Sequence, residues 1–268
     1  MGRKKEKGFT GMADVKKMFK REGRWLKIPA TNGKLVAIGD LHGDGKILNR
    51  VLERFYYGSD DYVMIFLGDY VDREPTSWED NKSAVVDKLL TLKRRYPNRI
   101  FLIAGNHDLT NRLYASFYSD FWDSLSDEEH DFYSDVLTAM PLVATTENGV
   151  AFCHATLPLD NDFSNFDLTN DCWIDTIWAD YHTPKSASSA MRPVRLVKDF
   201  NKSMSAFNST VLIHGHRPTA PLTMYRKRLI TLQSNRFYEQ ECGIHVAVVD
   251  LAKTIKNSDD IEIMKLTV

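Results

Sequence analysis

The chain has 268 residues, 43% of them hydrophobic and 26% charged, with a formal net charge of −1. That length supports a large buried core, while no apolar run approaches a membrane span and no secretory pattern opens the chain, so neither a membrane protein nor a membrane partner is expected. Three widely spaced cysteines, Cys153, Cys172 and Cys242, oppose a disulfide framework and favour a reducing, cytoplasmic setting.

Charge is unevenly spread. Residues 1–27 hold ten Lys or Arg against three acids, and the remainder holds 25 against 33, a net of −8. A basic arm without interleaved aromatics reads as a solvated segment, and an acidic body opposes a nucleic-acid groove, so no nucleic-acid partner is expected. Residues 1–12 read as flexible. Residues 13–22 form a short basic amphipathic helix with Val15, Met18 and Phe19 on one face, stopped at Gly23. That stripe is expected to pack on the main body. The expected division is therefore an arm and helix over 1–27 and one domain over 28–268.

The domain opens with the apolar strand 35–38, followed by a helix near 46–57 with Ile47, Leu48, Val51, Leu52 and Phe55 at helical spacing. A second strand covers 63–67. Ser77-Trp78-Glu79-Asp80 resembles a capping box that starts a helix running to about Arg95, ended by Pro97. A third strand covers 100–104. Ser126-Asp127-Glu128-Glu129 is another capping box, opening a helix that stops before Pro141. Strand runs follow at 150–153, 211–213, 229–232, 245–250 and 261–268, with a spacing that favours antiparallel pairs and hairpins. Residues 183–193 are the least structured internal stretch. The fold class expected is α/β: two β-sheets packed face to face as a sandwich, with helices outside.

Polar motifs sit at the strand ends. Gly39-Asp40-Leu41-His42-Gly43, Gly68-Asp69-Tyr70-Val71-Asp72-Arg73 and Gly105-Asn106-His107-Asp108 each follow one of the first three strands. They deliver Asp, His and Asn to the carboxyl edge of one sheet, where open α/β sheets place ligands. Oxygen and imidazole donors together suit divalent first-row metals. Two further histidine segments follow later strands: Phe152-Cys153-His154-Ala155 and Ile213-His214-Gly215-His216-Arg217-Pro218.

In that order, GDLHG, GDYVDR, GNHD, CHA and GHRP resemble the metal-dependent phosphoprotein phosphatases, within the calcineurin-like metallophosphoesterases. Trp178-Ala179-Asp180, and Arg228-Leu229-Ile230-Thr231-Leu232-Gln233-Ser234 followed by Tyr238, resemble lesser features of that family. The resemblance covers roughly residues 33–250. It implies a mixed-sheet sandwich flanked by helices and two divalent metal ions, manganese first, iron or zinc otherwise. Asp40 and His42 would bind one ion, Asn106, His154 and His216 the other, and Asp69 would bridge them. A bridging carboxylate makes physical sense between two close cations, and the water between them would be the nucleophile. His107, paired with Asp72, would protonate the leaving oxygen. Arg73 would hold phosphate oxygens, as would a second arginine, either Arg192 or Arg195, with Tyr238 bordering the cleft.

Other polar residues read differently. His214 is expected to be no ligand, Asp108 to serve a hydrogen-bonding role, and Cys153 to be a buried strand residue. His130, His182 and His245 read as surface or satisfied interior groups. The chain departs from the family at Glu74, where Gly is usual after the arginine, at Asp108, where Glu is common, and at Ala155-Thr156 after the histidine. The function implied is hydrolysis of phosphoserine and phosphothreonine esters, with a phosphoprotein or phosphorylated small molecule as partner and a monomer as the expected state. Alternatives are a diadenosine tetraphosphate hydrolase or other small phosphoesterase, and a metal-binding scaffold without activity. The pairing of Asp72 with His107 opposes the scaffold, which has no need of a proton donor.

Overall fold

The computed structural model describes residues 13–72, 82–109, 120–164, 171–182, 192–218, 220 and 222–267. Residues 1–12, expected to be flexible, Arg73, Glu74, the expected capping box at 77–80 and most of 183–193 lie outside the described residues.

In chain order the elements are α1 (Ala13–Glu22), β1 (Trp25–Ile28), β2 (Lys34–Ile38), α2 (Gly45–Phe55), β3 (Tyr62–Phe66), α3 (Ala84–Arg95) and β4 (Ile100–Leu102). Next come α4 (Asp120–Asp123), α5 (Asp127–Leu137), β5 (Val143–Thr146), β6 (Val150–Cys153), α6 (Asp171–Trp178), β7 (Asp180–Tyr181), β8 (Val194–Arg195) and α7 (Val197–Ala206). The last are β9 (Val211–His214), β10 (Thr223–Met224), β11 (Leu229–Thr231), α8 (Glu239–Cys242), β12 (His245–Asp250) and β13 (Glu262–Lys265). Among the described residues no helix is long and apolar enough to cross a membrane.

One sheet has the strand order β13-β12-β2-β3-β4, the other β1-β5-β6-β9-β11-β10. They pack face to face, and strand parity shows how. Leu35, Ala37, Ile65, Phe101, Ala247 and Val249 from the first sheet share one core with Ala144, Val150, Phe152, Val211, Ile213 and Ile230 from the second. Their alternate neighbours, such as Val36, Ile38, Met64 and Phe66, join the helices in a second core. Successive side chains point to opposite faces, so a strand covered on both sides must be apolar throughout. This explains the unbroken runs at 35–38 and 63–66.

The helices follow local signals. Asp44 caps α2 by accepting from the Ile47 amide at 3.1 Å. The capping box of Ser126 and Glu129 forms at the start of α5. α3 ends at Tyr96, before Pro97. Val15 and Phe19 of α1 are fully buried in the helix-side core, and Arg24 donates to the carbonyls of Thr138 and Met140 just beyond α5. Position 27/28 falls inside β1, which pairs with β5, so residues 13–28 share the core of the larger body.

The second half of the chain departs from the expected hairpins. β5 and β6 do pair antiparallel, as do β12 and β13, but β6, β9 and β11 are parallel neighbours. Apolar strands buried on both faces carry no mark of direction; the connection decides it. Residues 154–210, with α6 and α7, lie between β6 and β9 and make a crossover. The short elements β1, β5, β7, β8 and β10 and the helices α6 and α7 escaped the periodicity reading, being too short or too weakly patterned.

Candidate metal centre and acid–base pair

The parallel strands β2, β3 and β4 place their carboxyl ends side by side, and the turns after them interlock. The amides of Leu41 and His42 donate to the Asp69 carbonyl at 3.1 and 2.8 Å. A Cβ on Gly68 would lie 2.3 Å from the Gly105 nitrogen, and one on Gly105 would lie 2.3 Å from Asp69 Oδ1. Only glycines let these two turns touch. His42, Asp69, Asp72 and His216 all have positive φ, between 46° and 69°. These are four of the eight non-glycine residues with positive φ among the described residues, a costly backbone that here sets the placement of polar side chains.

Asp40, His42 and Asp69 bring one ligand atom each within 4.8 Å of one another, and so do Asp69, His154 and His216. Asp69 belongs to both groups. Asn106 Oδ1 stands 3.0 Å from both His154 Nε2 and His216 Nδ1. His154 Nε2 lies 3.3 Å from Asp69 Oδ2, and His42 Nε2 lies 3.7 Å from that same oxygen. All six expected ligands therefore converge, and all but Asn106 are buried.

The imidazoles are oriented from behind. Nδ1 of His42 faces the Val71 carbonyl at 3.1 Å, Nδ1 of His154 faces Leu67 O at 2.8 Å, and Nε2 of His216 faces Trp178 O at 3.2 Å. Each carbonyl takes the N–H of one ring nitrogen and leaves the other as a lone pair aimed inward. One ring nitrogen of each of three imidazoles, two carboxylates and one amide oxygen thus face one another, a donor set that a cation satisfies. These residues fit a pair of divalent ions.

The titration behaviour agrees with a site built for positive charge. Burial and the neighbouring Asp69 push Asp40 up to about 6, against the pull of His154. Burial opposes ionisation of Asp69, yet His154, His107 and His42 together hold it well below the usual carboxylate range. His154 is pushed up to about 9, because Asp69 and Asp40 outweigh its burial. Burial, His154 and Arg192 hold His216 well below the ordinary imidazole value.

Beside the cluster, His107 Nδ1 lies 3.0 Å from Asp72 Oδ2. The other Asp72 oxygen accepts from the Phe121 amide at 2.8 Å, and Trp122 Nε1 donates to His107 O at 3.0 Å. The His107 amide donates to Asp69 Oδ1 at 2.9 Å, so the pair is fastened to the shared carboxylate. The His42 ring stands edge-on to both His107 and Tyr238, with centroids 5.1 and 6.1 Å away.

Of the two arginines left open by spacing, the fold brings Arg192 to the cluster. Its Nη1 is 3.1 Å from His216 Nε2, and its guanidinium lies over the Trp178 ring. Arg195 donates to Asp175 at 2.5 Å instead. Asp180, buried behind His216, pairs with Arg217 at 3.0 Å and approaches Arg192 at 3.7 Å. That bracket escaped notice because Arg217 and Asp180 lie far apart in sequence. Asp108 is no inward donor: it accepts from the amides of Asp69, Tyr70 and Gly105 at 2.7–2.8 Å, clamping two turns. His214 is buried, with Nδ1 on Ala155 O at 2.7 Å and Nε2 on Thr231 Oγ1 at 2.9 Å; burial pushes it down to about 4. Burial also pushes the Cys153 thiol well up, which removes it as a nucleophile.

A sandwich of mixed sheets with a carboxylate shared between two donor groups at its edge defines a class, the metal-dependent phosphoesterases. Residues 33–248 match the family model for calcineurin-like phosphoesterases, and the chain belongs to that family. It is 36% identical over 125 residues to the serine/threonine-protein phosphatase PP2A-like PPG1 of Candida albicans, covering 45% of this chain and 28% of that protein. It is 33% identical over 137 residues to a probable serine/threonine-protein phosphatase of Encephalitozoon cuniculi, covering 48% and 27%. The matched stretch is thus little more than a quarter of each relative. Among solved structures, a Saccharomyces cerevisiae serine/threonine phosphatase with similarity to human phosphatase PP5 superposes with a TM-score of 0.78 at 20% identity, over 99% of this chain and 91% of that one. A putative diadenosine tetraphosphatase superposes with a TM-score of 0.54 at 16% identity, over 91% and 98%. At those identities the likeness is one of fold.

Proposed function

We propose that the protein is a dimetal phosphatase acting on phosphoserine and phosphothreonine esters in proteins. The observation that carries this reading is the shared Asp69, which sits between the Asp40–His42 and His154–His216 groups with the His107–Asp72 pair fastened to it. The named phosphatases among its relatives support the substrate class.

Asp40, His42 and Asp69 would hold one divalent ion, and Asp69, Asn106, His154 and His216 the other. Such a pair supplies positive charge to phosphoryl oxygens and acidifies water for in-line attack. The chain's own residues do the rest. Asp72 accepts the His107 Nδ1 proton and orients the ring, so that Nε2 carries the proton delivered to the departing oxygen. An alkoxide of serine or threonine is a poor leaving group and needs that proton. Arg192 offers a planar fork to the phosphoryl oxygens, and its stacking on Trp178 limits its motion. Arg73 is assigned the same task by its place after Asp72. Free thiols at Cys153 and Cys242 support a reducing, cytoplasmic setting.

The test compares a phosphoserine peptide with diadenosine tetraphosphate after chelation and manganese replacement. Chelation is expected to abolish hydrolysis and manganese to restore it, with the phosphopeptide the better substrate. A preference for the dinucleotide would move the protein to the small-molecule phosphoesterases. Full activity in verified metal-free protein would remove the dimetal reading, and inactivity of the manganese-loaded protein on both would leave the scaffold.

A further inference from the structure

Asp40 is held by a residue from the other sheet. Gln233, just beyond β11, forms a parallel bridge with Asp40, and its Nε2 donates to Asp40 Oδ2 at 2.9 Å. Both side chains are buried. The His216 amide also donates to that carboxylate, at 2.9 and 3.0 Å from its two oxygens. Gly215 makes room for this approach, since a Cβ there would stand 2.1 Å from Asp40 Oδ1.

The sense of the Gln233 amide is pinned. Asn235 Nδ2 donates to Gln233 Oε1 at 3.2 Å and to the Asp40 carbonyl at 2.9 Å. A reversed amide would set Oε1 against a carboxylate and Nε2 against another amide nitrogen. The flanking residues secure the same loop. Ser234 Oγ accepts from Gly39 N at 2.9 Å, and the Arg236 guanidinium grips Asp44, the cap of α2, at 2.9–3.0 Å. Residues 233–236 therefore form a strap across the turn that carries Asp40 and His42.

Resting on the dimetal reading above, we infer that Gln233 is a positioning residue for the Asp40–His42 half of the metal centre. Its neutral amide fixes the plane of the Asp40 carboxylate without bringing a positive charge that would compete with the ion. A lysine or arginine there would form a salt bridge and occupy the carboxylate. Among the described residues the Gln233 side chain is hydrogen-bonded to Asp40 and Asn235 and not to His154, Asn106 or His216, so its influence should fall on the ion at Asp40 first.

The experiment is manganese titration of the metal-free protein, comparing wild type with Gln233→Met, Gln233→Asn and Asn235→Ala. Gln233→Met should weaken one binding step by about 10–100-fold, the usual cost of losing an outer partner of a ligand, and leave the other step unchanged. Gln233→Asn and Asn235→Ala should weaken the same step by less, and they carry the test should the Met variant not fold. Activity should return at high manganese with KM for the phosphopeptide unchanged. Metal-free melting temperatures separate positioning from general stability. Unchanged titrations in all three variants, or equal weakening of both steps together with a lower metal-free melting temperature, would overturn the inference. Wild-type protein that took up no manganese would instead sink the metal centre itself, and Gln233's role with it.

Discussion

The five-stranded and six-stranded sheets approach the candidate metal centre differently. From the first, three parallel strands end in tight glycine-bearing turns that carry Asp40, His42, Asp69 and Asn106, with His107 and Asp72 alongside. From the second come two isolated histidines, His154 after β6 and His216 after β9, each oriented by a carbonyl from elsewhere in the fold. The turns of the first edge lock onto one another through their backbone, amide against carbonyl, with left-handed residues among them, and residues 233–236 brace the Asp40 turn from the other side. The second depends on the sandwich closing, because His154 takes its orientation from Leu67 of the opposite sheet. The difference teaches that one sheet carries most of the candidate ligands and the other completes the set. Asp69 is the point where the two meet.

The most damaging test of that comparison is Asp69→Ala. Serving both donor groups, Asp69 should take both ions with it, and kcat on a phosphopeptide should fall by on the order of 10⁴-fold, a barrier increase of about 5.4 kcal/mol. Metal analysis of the purified variant decides the matter: two retained ions would break the shared-carboxylate reading. Next in size is His107→Ala. It should cost about 10²–10⁴-fold on phosphoserine and markedly less on an activated aryl phosphate, whose leaving group needs little protonation. Equal losses on both substrates would move His107 from proton donor to a supporting role.

Arg192 and Arg195 sharpen the contribution of the second sheet's flank. Arg192→Ala should raise KM by about 10–150-fold, the worth of a charge-assisted hydrogen bond at roughly 1.5–3 kcal/mol. Arg195→Ala, which loses the pair with Asp175, should lower the melting temperature and spare KM. Steady-state kinetics on the two variants, run side by side, would reverse the assignment if Arg195 proved the more harmful.

The smallest effect lies far from the site, where Lys93 of α3 is buried against Glu22 of α1. Burial pushes the Lys93 ammonium down against the pull of Glu22, and pushes the Glu22 carboxyl up against the pull of Lys93. A carboxyl raised on folding contributes stability that is full below its unfolded value, near 4.5, and is lost as pH climbs from there to the folded value. A lowered ammonium works in the opposite sense, losing stability as pH falls from 10.5 to its folded value. Glu22→Gln should therefore flatten the decline in melting temperature just above pH 4.5 and leave kcat unchanged. An identical melting profile in wild type and variant would remove Glu22 from the pH response.

The first edge was legible in the amino-acid order because its information is local. An apolar run, a glycine, an acid and a histidine within five residues describe a strand, its turn and its cargo together. The same holds for α2 and α5, whose caps Asp44 and Ser126 stand beside the helices they start. Strand direction in the second sheet was not legible, since a run buried on both faces reads the same either way and residues 154–210 had to be placed before β9 could lie parallel to β6. The choice between Arg192 and Arg195 was closed to sequence for a similar reason: three positions apart, they differ in what the fold sets opposite them, His216 for one and Asp175 for the other. Gln233 is the plainest case. It lies in a stretch that resembles the family's late strand, but nothing there assigns it a partner, and Asp40 lies 193 residues away. Composition and spacing along the chain determine which residues carry the chemistry, because short-range sterics and periodicity are written in neighbouring residues. Which side chains orient them was decided only when the two sheets packed, because a hydrogen bond needs two groups within about 3 Å and only the tertiary structure sets that distance.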